Sequence, residues 1–181
     1  MNDVEAAVDA LLRAVGRDPR RERELRGTAR RVAKALREDL LDGYGRDPKG
    51  VLGKLVPQKG EALVSIRGIR FHSMCPHHLL PYRGTLDLVY RPTRWLAGFS
   101  GLIRLVDLWA HRLILQEEIT EAVARDLVRH VKASGAACRV AAEQACMIVR
   151  GPKRDGTRVV SFHFAGDLPR KEALAALGAE I

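Results

Sequence analysis

Residues 61–92, EALVSIRGIRFHSMCPHHLLPYRGTLDLVYRP, decide the fold class. From Glu61 the hydrophobic period is two. Leu63, Ser65, Arg67, Ile69 and Phe71 alternate with Val64, Ile66, Gly68 and Arg70, which predicts a strand exposed on one face or lining an interface. CPHHLLP interrupts the alternation, and TLDLVYRP resumes it with Leu86, Leu88 and Tyr90 on one face and Asp87 on the other. Downstream, residues 102–113 and 117–131 carry helical spacing, KASGA supplies the turn out of them, and residues 138–150 and 158–165 read as a third and fourth strand. Upstream, Val4, Ala7, Val8, Leu11, Leu12 and Val15 predict a helix that Gly16 closes. After the charged connection RDPRRERELRG, Thr28 stands where an N-cap belongs, and Val32, Ala35, Leu36, Leu40 and Leu41 stripe a second helix that DGYGRDPKG ends. The order is helix, helix, then β-β-α-α-β-β. That pattern predicts an α+β domain, an antiparallel sheet with its helices on one face. The expected division is an N-terminal helical region over 1–60, the sheet domain over 61–168 and a tail over 169–181.

The chain has 181 residues, 46% hydrophobic and 29% charged, enough apolar sequence for a core and too much for a disordered chain. No apolar run approaches the ~20 residues of a membrane span. The N-terminus has acidic residues early and no basic lead before an apolar block, so a cytoplasmic location is expected. Three cysteines argue against a disulfide framework and leave metal binding or burial. Thirty-one Lys and Arg against 22 Asp and Glu give a net charge of +9. The arginines scatter along residues 17–37 and 150–170 without aromatic interleaving, and aromatics are only 5% of the chain. A base-stacking surface is poorly supplied, so nucleic acid is the lesser reading beside an anionic small molecule or the general arginine usage of an Arg-rich proteome.

The densest reactive cluster is His72, Cys75, His77 and His78. Cys-x-x-His brings a thiolate and an imidazole to one ion, the ligand types that zinc prefers. With Cys146 as third ligand the set is Cys2His, leaving the open position of a catalytic rather than a structural site. The bland alternative is a buried thiol with histidines at a strand end. Cys138 shares strand parity with Cys146, but eight residues at ~3.3 Å each put it outside one metal shell, and it reads as a core thiol. On a continuous third strand Gln144, Cys146 and Arg150 share one face.

SMCPHHLLPYRGTLDLVY resembles the signature of the GTP cyclohydrolase I family, and RRVAKALREDLLDGY, GFSGLIRLVDLWAHRLILQEEIT and EQACMIVRG resemble its N-terminal helix, central helices and third strand. The likeness runs in family order from about residue 7 to residue 166. It implies the tunnelling fold, in which sheets close side by side into a β-barrel, with two pentameric rings stacked as a homodecamer and active sites at subunit interfaces. It implies zinc on Cys75, His78 and Cys146, activating a water toward C8 of GTP, and His77 exchanging a proton with the departing ring nitrogen. Glu117 matches the carboxylate that receives guanine N1 and 2-amino hydrogens, with Gln116 beside it. Arg31, Lys34, Arg104 and Arg150 match triphosphate contacts, and Ser100 a hydroxyl there; a solvated basic face is the alternative for Arg31 and Lys34.

Three positions depart from the family pattern: Pro76 for a glutamate, Gly101 for a lysine, and Gln144 for a second catalytic histidine. A glutamine cannot shuttle a proton. The implied function is hydrolytic opening of the imidazole ring of GTP, leading to formate and dihydroneopterin triphosphate for folate or pterin synthesis. The alternatives are a paralogue that stops at the ring-opened formamidopyrimidine or takes another guanine-like substrate, and a non-catalytic scaffold binding zinc or nucleotide. His163 is a candidate for the missing imidazole, against the plainer reading of an ordinary strand histidine.

Overall fold

A computed structural model describes residues 3–179. In chain order its elements are α1 (Asp3–Ala14), a 3-10 turn (Arg23–Leu25), α2 (Thr28–Ala35) continued by a π-turn (Leu36–Leu40), a 3-10 turn (Asp42–Gly45), α3 (Pro48–Leu52), β1 (Val56–Pro57), β2 (Val64–Met74), β3 (Pro81–Arg91), β4 (Trp95–Leu96), α4 (Phe99–Ala110), α5 (Gln116–His130), β5 (Gly135–Gln144), α6 (Ala145–Ile148), β6 (Val159–Gly166) and α7 (Arg170–Leu177). Two compact units result, Met1–Asp42 and Gly43–Ile181.

In the first unit α1 packs on α2. Gly27, with φ of 74°, takes the cap position expected for Thr28, which becomes the first helical residue. The segment DGYGRDPKG is more than a helix stop. Its Asp47 side chain accepts from Gly50 N (2.7 Å) and Pro48 follows as first residue, so α3 begins there.

The second unit is built on a four-stranded antiparallel sheet in the order β2-β3-β5-β6. The expected β-β-α-α-β-β order holds, because the helical crossover α4–α5 returns the chain beside β3. Leu86, Leu88 and Tyr90 of β3 and Cys138, Val140 and Ala142 of β5 face α4 and α5, where Leu102, Leu105, Val106, Ile119, Val123 and Leu127 complete a closed core. About 25 cal/mol per Å² of buried apolar surface makes this layer the main source of stability. On the opposite face Val89 and Ala137 meet Leu168, Ala173 and Leu177, so the stretch expected as a tail carries a helix on the sheet. Near Gly68 (φ +73°) the β2–β3 register shifts, and Asp87 accepts from Gly68 N (2.7 Å) and from Arg139 Nη1 (2.9 Å). Beyond the bulge the phase changes, putting Ile69 and Phe71 in the core and Arg70 outside.

The third strand is shorter than expected. β5 ends at Gln144, opposite Tyr82, and the preceding Pro81 has no N–H with which to extend the ladder. The chain turns into α6, so Cys146 and Arg150 do not share a strand face with Gln144. β3 starts four residues before the expected Thr85 for a related reason: the CPHHLLP turn closes at Leu80, where Cys75 N donates to the Leu80 carbonyl (2.9 Å). Among the described residues no helix is long and apolar enough to cross a membrane.

Candidate active site

The β2–β3 connection folds as a tight turn in which Leu79 N donates to Cys75 O (2.9 Å). Pro76 suits its first corner, since the turn asks for no N–H there and the ring presets φ. The departure from glutamate at this position is thereby compatible with the backbone. The turn delivers Cys75, 6% exposed, and the exposed His78 three residues later toward the same place. From the other direction, the first turn after β5 brings in Cys146.

The ligand atoms of Cys75, His78 and Cys146 lie within 4.8 Å of one another, with Cys75 Sγ 3.7 Å from His78 Nδ1. Tetrahedral zinc, with Zn–S near 2.3 Å and Zn–N near 2.0–2.1 Å, sets its donors about 3.5–3.8 Å apart. The donor set therefore fits zinc in chemistry, and the Cys75–His78 pair fits it in spacing. Burial, with Cys75 adding to it, pushes the Cys146 thiol above its usual range. Two adjacent thiols resist ionising together, and a divalent cation relieves that repulsion. His78 Nε2 lies 2.6 Å from Arg150 Nη1. A guanidinium only donates, so Nε2 is the acceptor and Nδ1 bears the ring proton, directed at the Cys75 sulfur. Were a metal held through Nδ1, the ring proton would stand on Nε2 and the Arg150 contact would be released.

Beside the three donors lies a cavity of about 180 Å³ lined by His77, Tyr82, Gln116, Glu117, Gln144 and Val159, among others. Its wall at residues 113–117 is tied down twice. Ile114 N donates to Met74 O (3.2 Å), and the Tyr82 hydroxyl donates to Ile114 O (2.9 Å). Burial raises the Tyr82 pKa far above its ordinary value, so the phenol stays a donor. The Glu118 carboxylate accepts from Leu115 N (2.9 Å), capping α5 and leaving Glu117 exposed at its first turn. Gln116 is 3% exposed, and its Nε2 reaches Val159 O (3.3 Å) and Ser161 Oγ (3.2 Å). A carbonyl only accepts, which fixes the Gln116 amide and directs its Oε1 to Gln144 Nε2 at 2.8 Å. Gln144 is thereby oriented too, with Oε1 free of that bond. Gln116 holds Gln144 through its Oε1, while its Nε2 is engaged on the β6 side.

Ser100 and Arg104 are exposed on α4 and do not line this cavity, and Arg104 Nε donates to Val51 O (3.1 Å). A Cβ at Gly101 would stand 2.5 Å from Leu52 O, so the helix approaches α3 too closely for a lysine. Arg31 and Lys34 belong to the first unit. Arg31 donates to Arg26 O and Thr28 Oγ1 (both 3.0 Å), and Lys34 pairs with Glu38 at 3.8 Å. His163 pairs with Cys138, four residues along β6 from Val159, and is not brought to the cavity. Cys138 is fully buried in the core. The sequence reading singled out neither Tyr82 nor Ser161, because each acts by tying one segment to another and neither belongs to a reactive cluster.

The sequence profile of the family GTP cyclohydrolase I matches residues 4–178. This chain belongs to the GTP cyclohydrolase I family. It is similar to GTP cyclohydrolase 1 of Chromobacterium violaceum, 43% identical over 77% of this chain and 68% of the relative. It is similar also to that of Brucella anthropi, 40% identical over 92% and 78%, and to that of Desulforamulus reducens, 37% identical over 96% and 92%. Among solved structures, the archaeosine synthase QueF-Like in its apo form overlaps with a TM-score of 0.50 at 20% identity, covering 61% of this chain and all of that one, which shows the fold alone. GTP cyclohydrolase I enzymes depend on zinc, and the Cys75, His78 and Cys146 donors are positioned to bind a metal ion.

Proposed function

We propose that this chain is a zinc-dependent hydrolase that opens the imidazole ring of GTP and carries it, with loss of formate, to dihydroneopterin triphosphate. The observation that carries the reading is the Cys75, His78 and Cys146 cluster opening onto a cavity shared by His77 and Glu117. Zinc held by those three donors supplies the Lewis acidity for hydrolysis at the guanine imidazole ring. His77 stands at the same cavity with an imidazole that can both give and take a proton, suited to exchange one with the departing ring nitrogen. The Glu117 carboxylate accepts the parallel N1 and 2-amino hydrogens of the base. Arg150, once free of His78, meets substrate phosphate. Gln116 acts through Gln144, whose Oε1 offers an acceptor to a substrate N–H or O–H.

About 180 Å³ holds the base and not the whole nucleotide, since ligand pockets run to roughly 300–1,000 Å³. Ser100 and Arg104, which do not line this cavity, therefore meet the triphosphate from a neighbouring copy, and Arg31 and Lys34 are further phosphate contacts proposed from the family likeness. β2 and β6 are the sheet's outer strands, and pairing them between copies closes the ring expected of the family and hides both edges. A decamer of two pentameric rings is the assembly proposed.

One observation favours a shorter reaction. Gln144 sits on the cavity as an oriented amide that cannot carry a proton, and loss of a positioned acid–base group typically lowers a rate by ~10²–10⁴. In that case the ring-opened formamidopyrimidine is the product. Zinc-loaded protein is incubated with GTP, the products are identified by mass and ultraviolet spectrum, and formate is assayed in parallel. Formate with a pterin chromophore supports the full reaction. A hydrated product without formate supports the shorter one, and unchanged GTP with no bound zinc overturns both in favour of a non-catalytic scaffold.

A further inference from the structure

The sheet has a second concavity on the face turned away from the metal cluster. Side chains alternate along each strand, so Tyr82 and Gln144 belong to the helix-covered face and Arg83 and Glu143 to the other. α7 covers that other face only around Val89 and Ala137. Next to this covered end, Asp87 and Arg139 neutralise one another at 2.9 Å. Beyond them the register sets Arg70, Thr85 and Ala141 side by side across β2, β3 and β5, with Arg83 and Glu143 in the following row and Arg158 at the start of β6. Small residues in the middle and long ones around them leave a hollow of about 340 Å³.

The charge in this hollow is unbalanced. Among the described residues, Glu143 is the single carboxylate for three guanidinium groups, at 3.9 Å from Arg83 and 3.4 Å from Arg158. Both contacts are long for charge-assisted hydrogen bonds, which close to about 2.7–2.9 Å. Among the described residues, Arg70 forms no ion pair with a carboxylate lining the hollow. Placing like charges around a concave surface raises the local potential and concentrates anions there. The three arginines span from β2 to β6, three strand spacings or about 14 Å. That spacing separates the backbones; at the side-chain ends the single Glu143 carboxylate contacts both Arg83 and Arg158, so one phosphate occupies at most the place between those two and leaves Arg70 to a second. A chain of linked phosphates meets all three.

We propose that this hollow is a second anion site, separate from the catalytic cavity, that binds an oligophosphate: Arg83 and Arg158 grip one phosphate and Arg70 another. Glu143 gives up its long contacts and accepts a hydroxyl or amino hydrogen where the ligand carries one. Guanidinium forks match phosphate oxygens in pairs, which favours this chemistry over a dispersed carboxylate.

Calorimetric titration of the zinc-loaded full chain with inorganic triphosphate tests the assignment. The wild type, Arg150→Ala, Arg70→Ala and Arg158→Ala are run side by side. Arg150→Ala is expected to keep the site, while Arg70→Ala and Arg158→Ala each weaken it about tenfold, the scale of one charge-assisted hydrogen bond. Arg70→Ala should leave GTP turnover unchanged in the absence of added anion, which shows that the variant is folded. ATP in place of inorganic triphosphate identifies the source: tighter binding than the inorganic chain points to a nucleotide, weaker binding to the inorganic chain itself, and either supports the site. Binding that disappears in Arg150→Ala, or that persists at full strength in both Arg70→Ala and Arg158→Ala, overturns it. So does orthophosphate binding as tightly as triphosphate.

Discussion

Replacing Gly101 by alanine tests why α4 carries glycine where the family pattern has lysine. In a helix interior alanine is normally worth about 0.8–1 kcal/mol over glycine, so the expected sign in an open helix is stabilising. Here the new Cβ would stand 2.5 Å from Leu52 O and 3.1 Å from Leu52 C. These are backbone atoms of α3 and cannot swing aside as a side chain does. Leu52 is itself buried at 3% exposure, so α3 must shift as a unit. Overpacking of this kind costs about 1–3 kcal/mol. Against the propensity gain, the net expectation is a loss of up to about 2 kcal/mol in place of the usual gain, or a fall in Tm of up to about 8 °C in a chain of this size. Thermal unfolding followed by circular dichroism, at one protein concentration because assembly shifts Tm, reads it directly. Gly101→Lys carries the same Cβ and should lose stability without gaining GTP affinity. A Gly101→Ala protein more stable than the parent by the about 0.8–1 kcal/mol of an open helix, or a Gly101→Lys protein that is both stable and tighter for GTP, refutes the reasoning.

Tyr82→Phe removes the donor to Ile114 O, and a buried carbonyl left without its partner costs about 1–3 kcal/mol; denaturant unfolding should show that loss, and GTP turnover should fall with it because residues 113–117 loosen. Gln116→Ala frees the Gln144 amide while leaving the metal donors alone. Zinc content should stay at the parental level while kcat/KM drops about tenfold, the weight of one hydrogen bond, and unchanged kinetics would show that the orientation of Gln144 is irrelevant. Asp126 has its pKa raised by burial, partly offset by the Trp109 Nε1 hydrogen bond (2.8 Å) and by His130. Below the unfolded-state value both states hold the proton; as pH rises from there through the folded value, the unfolded chain releases it first and the native state loses stability. Asp126→Asn should therefore gain on the parent as pH rises from about 4 toward neutrality, and a stability difference that moves the opposite way in melts across that range counts against the assignment.

The alternation in residues 61–92 and the helical spacing that follows were enough for the α+β class and the element order, because burial on one face imposes its period on the sequence directly. The metal donors were legible as well, since thiolate and imidazole are scarce residue types and Cys-x-x-His places two of them within one turn. What the sequence could not carry is where periodicity stops. The end of β5 depends on Pro81 of another strand, and that end puts Cys146 on a helical turn instead of a strand face. The alliance of Gln116 with Gln144 joins residues 28 apart through an amide orientation set by a third segment at Val159 and Ser161. Composition is likewise silent on the arginine hollow, whose members are spread from residue 70 to residue 158 and meet only through strand register. Local sequence determines the residue types and the period of each segment; long-range pairing decides which of them share a space, because hydrogen-bond register between strands is a property of the folded chain as a whole.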